Sequence, residues 1–159
     1  MAKLTHVNRA GEARMVDVGS KRATRRRAVA RGAVSLNRKA FRLLADNRLA
    51  KGDALAVARL AGIQAAKRTA DWVPLCHPVP LEHLEVSVEL DDAGPRVIVT
   101  ATACARWTTG VEMEALVAVS ASCLAIYDMA KSVDRGMTIG DVELLRKSGG
   151  RSGNWRRRG

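Results

Sequence analysis

Prolines at 74, 78 and 80 punctuate the stretch VPLCHPVP. Each lacks an amide hydrogen and restrains the residue before it, so neither a helix nor a central strand can run through 73–80. This shaped loop separates two kinds of pattern. Before it, Val29 to Leu36 reads as a strand, and Ser35 as the N-cap of a short helix through Phe41, Leu43 and Leu44 that Asp46 and Asn47 break. Gly52 and Asp53 then supply a turn and an N-cap for ALAVARLAGIQAAKRTA at 54–70, where Leu55, Ala58, Ala61, Gly62 and Ala65 form a narrow small-residue stripe. After it, LEVSVEL at 84–90 alternates as a strand, DDAGP turns, and RVIVTATACA at 96–105 returns as the second strand of a hairpin. A long helix follows from Val111, with Thr108, Thr109 or Gly110 as its cap. MTIGDVELLRK at 137–147 is the last strand, with Gly140 as a candidate bulge.

Leaving the short helix aside, the order is strand, helix, strand, strand, helix, strand. That order predicts an α+β fold: a ferredoxin-like split βαβ sandwich, an antiparallel sheet with two long helices on one face. The 159 residues suffice for one core. We expect a flexible basic N-terminal arm at 1–28, a single domain at 29–147 and a flexible Gly/Arg-rich tail at 148–159. If the second face of the sheet is apolar, another copy of the chain is the readiest cover, so oligomerisation is expected. Aromatics are only 3% of a chain that is 47% apolar, so the core must exclude water by close approach of small residues. MAKLTHVNRA has no apolar run like a leader, and no segment approaches the roughly 20 apolar residues of a membrane span. A soluble cytoplasmic protein is expected.

The net charge of +11 attracts anions. A single-strand nucleic-acid platform interleaves aromatics with cations, whereas Phe41, Trp72, Trp107, Tyr127 and Trp155 stand singly, which favours a small polyphosphate ligand. Cys76, Cys104 and Cys123 are odd in number and lack a CxxC pair, indicating neither a disulfide framework nor a zinc knuckle. Cys76 and His77 are adjacent, with His83 close by, but no matching ligand cluster accompanies them, and we predict no metal site.

The candidate chemistry lies in GVEMEALVAVSASCLAIYDMAK at 110–131. Asp128 and Lys131 are three apart and neighbours on a helix, so the carboxylate can hold the amine; a surface ion pair is the plainer alternative. Partly desolvated, Lys131 would be fitted for proton transfer. Glu112 and Glu114 lie at the other end. About 21 Å of helix separates Glu114 from Asp128, at about 1.5 Å per residue, so if both act, two subunits share each site. Lys51 precedes the 54–70 helix and Lys67 lies near its end, about 24 Å away along the backbone. KRATRRR at 21–27 and KSGGRSG at 147–153 each suit phosphate oxygens, or are simply solvated.

Together, GEARMVDV at 11–18, KGDALAVARLAGIQAAKRT at 51–69, PLCHP at 74–78, TGVEMEAL at 109–116, IYDMAK at 126–131 and LLRKSGGRSG at 144–153 resemble the cyclic pyranopterin monophosphate synthase family, molybdenum cofactor biosynthesis protein C. The resemblance spans nearly the whole chain. It implies a ferredoxin-like subunit in a homohexamer, a trimer of dimers with sites at subunit interfaces. It also implies a lyase of molybdopterin biosynthesis, converting (8S)-3',8-cyclo-7,8-dihydroguanosine 5'-triphosphate to cyclic pyranopterin monophosphate and diphosphate. By motif, Lys51 and Lys131 are the implied general acid and base, with Asp128 orienting Lys131. Leu75, Cys76, His77, Glu112, Met113 and Glu114 would line the base pocket, and Lys67 and Lys147 would hold the triphosphate. No cofactor is required; magnesium would serve only as the triphosphate's counterion. Two residues depart from the family pattern: Thr108 stands where Lys is common, and Arg151 replaces the tail Lys. The rival reading is a basic RNA-binding α+β module. It lacks paired exposed aromatics on the sheet, and acids at 112, 114 and 128 would repel a phosphate backbone.

Overall fold

A computed structural model describes residues 7, 8 and 10–158. Residues 1–6 and 9 of the expected arm, and 159 of the expected tail, lie outside the described residues. The elements are β1 (Thr24–Ser35), α1 (Arg38–Ala45), α2 (Ala54–Ala66), α3 (Thr69–Trp72), β2 (His83–Asp91), β3 (Arg96–Trp107), α4 (Glu112–Ala130), β4 (Thr138–Ser148) and β5 (Trp155–Arg156). The sheet order is β2-β3-β1-β4-β5, and every pairing is antiparallel. The first four strands have the split βαβ order, so the fold is the ferredoxin-like α+β sandwich, with β5 added at the β4 edge.

Strand period 2 decides which residues meet the helices. On β3, Val97, Val99, Ala101, Ala103 and Ala105 are all fully buried, and they pair across β1 with Val34, Gly32, Ala30, Ala28 and Arg26. The residues are small because α4 comes very close. A Cβ added at Gly32 would stand 2.6 Å from a Val119 methyl, which is closer than real side chains approach. The two long helices meet in the same way. Ala54, Ala58, Gly62, Ala65 and Ala66 are the buried residues of α2. At Gly62 a Cβ would collide with the Ser122 hydroxyl and lie 2.8 Å from the Ala118 carbonyl. Ser122 is fully buried, and its hydroxyl donates to the Ala58 carbonyl at 2.8 Å, so this buried polar group is satisfied.

Several boundaries differ from the sequence reading. β1 begins at Thr24 rather than Val29, because the TRRR run alternates inward and outward and continues the ladder against β3 as far as Trp107. The cap of α1 is Asn37, not Ser35: its side chain accepts from the Ala40 amide at 2.8 Å, while Ser35 is still in the strand. Asp53 caps α2 as expected, accepting from the Ala56 amide at 2.9 Å, but α2 stops at Ala66. None of Thr108, Thr109 and Gly110 caps α4; Val111 occupies that position without a side-chain bond, and Glu112 and Glu114 face the positive helix end instead. β4 has two bulges: one falls just beyond Gly140, where the ladder passes from Ala33↔Gly140 to Arg31↔Glu143 and Asp141 takes a φ of 53°, and the other at Leu145, between Ala30↔Leu144 and Val29↔Arg146.

The second sheet face is mainly polar. Arg31, Thr100 and Ser87 lie in one cross-strand row, with Val29, Thr102 and Glu85 in the next. The expected need to cover an apolar face therefore does not arise. In length and composition α4 does reach what a membrane crossing needs, contrary to the sequence reading. Its apolar residues are spent on the sheet and α2, with Ala115, Ala118, Val119, Cys123, Ile126 and Ala130 all fully buried.

Candidate active site

The antiparallel packing of α2 on α4 brings the loop before α2 to the C-terminal end of α4. Lys51 thereby reaches Asp128 across 77 residues of sequence. Its ammonium donates to Asp128 Oδ2 at 2.7 Å and to the Asp128 carbonyl at 2.9 Å, while Lys131 Nζ lies 2.6 Å from Asp128 Oδ1. One carboxylate thus holds two amines side by side. The Lys131 bond and then the Lys51 bond draw the Asp128 carboxyl down to about 2, so it is ionised at any physiological pH. All three side chains are about half exposed, open to a ligand arriving from outside the subunit.

At the other end of α4 lies a cavity of about 280 Å³ lined by Leu75, Cys76, His77, Thr109, Gly110, Glu112, Met113 and Glu114, with Val16, Val18, Lys21 and Val79. The proline-shaped loop supplies one wall and the first turn of α4 the other. Glu112 folds back over Gly110, where its carboxylate leaves no room for a Cβ. Glu114 is almost fully buried, and this desolvation, with a smaller push from Glu112, raises its carboxyl to about 7. Burial, then the neighbouring Glu114, also raises the Cys76 thiol, which makes it a poor nucleophile.

A second, basic cavity of about 740 Å³ shares Lys21, Thr109 and Gly110 with the first. Its other walls are Ser20, Arg22, Thr24, Arg26, Thr108, Gly150, Arg151 and Ser152. Arg26 braces it, donating to the Trp107 and Thr108 carbonyls at 3.3 and 3.2 Å. The Thr24 hydroxyl, buried here, has no hydrogen-bond partner among the described residues. The arrangement suits an elongated ligand with an uncharged, hydrogen-bonding ring in the first cavity and an anionic chain in the second.

The structure thus brings together Lys51, Asp128 and Lys131 in one group, and Leu75, Cys76, His77, Glu112, Met113 and Glu114 in another. Lys147 hydrogen-bonds Ser152 at the edge of the basic cavity. Lys67, expected with it, is the exposed C-cap of α2 and lines neither cavity. Lys21, Arg22 and Arg26 were expected only as members of the KRATRRR run, and Arg151 as an anion binder of the KSGGRSG tail. Their two runs were visible separately; their meeting depends on β1 pairing with β4, which sets Arg27 opposite Ser148.

Comparison with known proteins decides the family. The MoaC family model matches residues 15–150. This chain belongs to the MoaC family. Its MoaC relatives include proteins named cyclic pyranopterin monophosphate synthase from three organisms. That of Parvibaculum lavamentivorans is 56% identical over 97% of this chain and 96% of its own length. That of Thermomicrobium roseum is 55% identical over 99% and 95%, and that of Brucella ovis 54% over 96% and 93%. The MoaC match takes in both groups of side chains and all of the basic cavity except Arg151 and Ser152.

Proposed function

We propose that this chain is a cyclic pyranopterin monophosphate synthase, converting (8S)-3',8-cyclo-7,8-dihydroguanosine 5'-triphosphate to cyclic pyranopterin monophosphate and diphosphate in molybdenum cofactor biosynthesis. The single observation that carries the mechanism is the Asp128 carboxylate held between Lys51 and Lys131. Opening one ring, closing the pterin and forming a cyclic phosphate all require proton transfers with no net redox change. Two amines that share one carboxylate can serve as the acid and the base. Asp128 stays ionised throughout and fixes both amines.

The first cavity would take the guanine-derived ring, with Glu114 or Glu112 accepting from its amidine edge and Leu75, Cys76, His77 and Met113 closing around it. Lys21, Arg22, Arg26 and Arg151, with Lys147 behind them, would neutralise the triphosphate and the departing diphosphate. Arg151 keeps the cation of the family's tail Lys. Arg22 and Arg26 supply charge around Thr108, where the usual Lys is lacking. Magnesium enters this reading only as a counterion of the phosphates.

The rest of the reading is quaternary. Asp128 and Glu114 stand about 21 Å apart on one rigid helix, so one small substrate reaches both only if a second copy brings its own Lys51–Asp128–Lys131 group to the cavity of the first. A homohexamer built as a trimer of dimers, with sites at its interfaces, meets that need. Leu60 on α2 and Leu124 on α4, 66% and 53% exposed on the outer helix layer, are apolar surface that such contacts would cover. We place the enzyme in the cytoplasm, since a substrate with a triphosphate does not cross a membrane unaided.

The test is incubation of wild type, Lys51→Ala, Asp128→Ala and Lys131→Ala with the cyclic triphosphate, following diphosphate and pterin. Wild type should form both, and each variant should lose roughly 10²- to 10⁴-fold in turnover. Normal turnover by Lys131→Ala would defeat the assignment.

A further inference from the structure

The end of the chain is fastened by a side chain that neither half of the site uses. On β4, Glu143 holds Arg31 of β1 with Oε1, 2.7 Å from Nη2, and Arg157 with Oε2, 3.1 Å from Nε. Arg157 is tied to β4 twice more: its amide donates to the Leu145 carbonyl at 2.9 Å, and its Nε donates to the Leu144 carbonyl at 3.1 Å. Between β4 and β5 the chain turns through Gly149 and Gly150, at φ of 94° and 75°, where glycine alone is unstrained. Gly149 lies on the Arg25 carbonyl and Gly150 on the Arg26 guanidinium, and a Cβ fits at neither. The turn is thereby laid across β1, with Gly150, Arg151 and Ser152 lining the basic cavity. One foot of this hairpin is β4 itself. The other is the two-residue strand β5, too short to hold by its ladder alone, and Arg157 follows it directly.

We propose that Arg157 and Glu143 are positioning residues for anion binding: the Arg31–Glu143–Arg157 bridge pins the far foot of the hairpin so that Arg151 and Ser152 are in place before the ligand arrives. This rests on the reading of the basic cavity as the polyphosphate end of the site. Preorganisation of that kind raises affinity. Arg157 and Glu143 line neither cavity, so they act on the ligand only through the hairpin. Loss of the bridge therefore weakens anion binding and raises KM.

The experiment is calorimetric titration of the full chain with inorganic triphosphate, together with hydrogen exchange of the 149–153 amides. Wild type is compared with Arg157→Ala, Arg157→Lys, Glu143→Gln, the Arg157→Ala/Glu143→Gln double variant and Arg158→Ala. Arg157→Ala should bind about fivefold more weakly, the size of one partly exposed ion pair. The double variant should lose no more than the weaker of its two parents, the 149–153 amides should exchange faster, and Arg157→Lys should recover most of the affinity. Wild-type affinity in Arg157→Ala, an equal loss in Arg158→Ala, or no binding of triphosphate by wild type would each overturn the proposal. Intact triphosphate binding by a wild type that does not turn over the cyclic triphosphate would count against the enzyme reading alone.

Discussion

Asp128 sits between two ammonium groups, and their hydrogen bonds draw its carboxyl down to about 2. The acid limb of the rate profile should therefore not be set by Asp128, and Asp128→Asn should lower the whole profile without moving that limb. Glu114 behaves oppositely, since burial raises its carboxyl to about 7. A guanine-like edge presents N–H donors and needs the ionised form. Affinity for the substrate should rise by about tenfold per pH unit as pH approaches 7, then level off. Stability runs the other way. The folded state holds the Glu114 proton more tightly than the unfolded chain, so stability falls as pH rises from 4.5 through about 7. Glu114→Gln should flatten both dependences, read by titration and by denaturation at several pH values. The Asp128–Lys131 pair was legible in the sequence because helical spacing alone makes neighbours of residues three apart. Lys51 was not, except through the family resemblance, because its partner arrives only when α2 lies antiparallel on α4.

The two long helices approach each other through Gly62, and a methyl there would press on the Ser122 hydroxyl and the Ala118 carbonyl. Gly62→Ala should cost about 1–3 kcal/mol in urea unfolding, since neither the backbone carbonyl nor the bonded hydroxyl can move away freely. Asp53→Ala removes the α2 cap beside Lys51 and should cost about 1 kcal/mol. Its effect on turnover should exceed its effect on stability, because the capped turn carries Lys51 to Asp128. The small-residue stripe announced this contact well before its partner was visible. The start of β1 was harder to see: Arg25, Arg26 and Arg27 hide their alternation from any reading based on hydrophobicity, although Arg26 turns inward to brace the loop at Trp107 and Thr108. The strand at Trp155–Arg156 is two residues long and is held by Arg157 rather than by any pattern of its own.

The split βαβ topology, read correctly from the order of periodic segments, places the two groups of side chains at opposite ends of α4. We propose that a second copy completes each site. That proposal rests on the helix length and the half-exposed Lys51, Asp128 and Lys131, not on the open sheet face, whose Arg31, Thr100 and Glu85 are content with water. Co-expression of Lys131→Ala chains with Glu112→Ala/Glu114→Ala chains gives mixed oligomers in which some sites draw an intact half from each parent. If sites are shared between copies, diphosphate release from the cyclic triphosphate should return to about a quarter of the wild-type rate at equal mixing, while each parent alone stays inactive. Mixed oligomers no more active than the parents would contradict a site built from two copies.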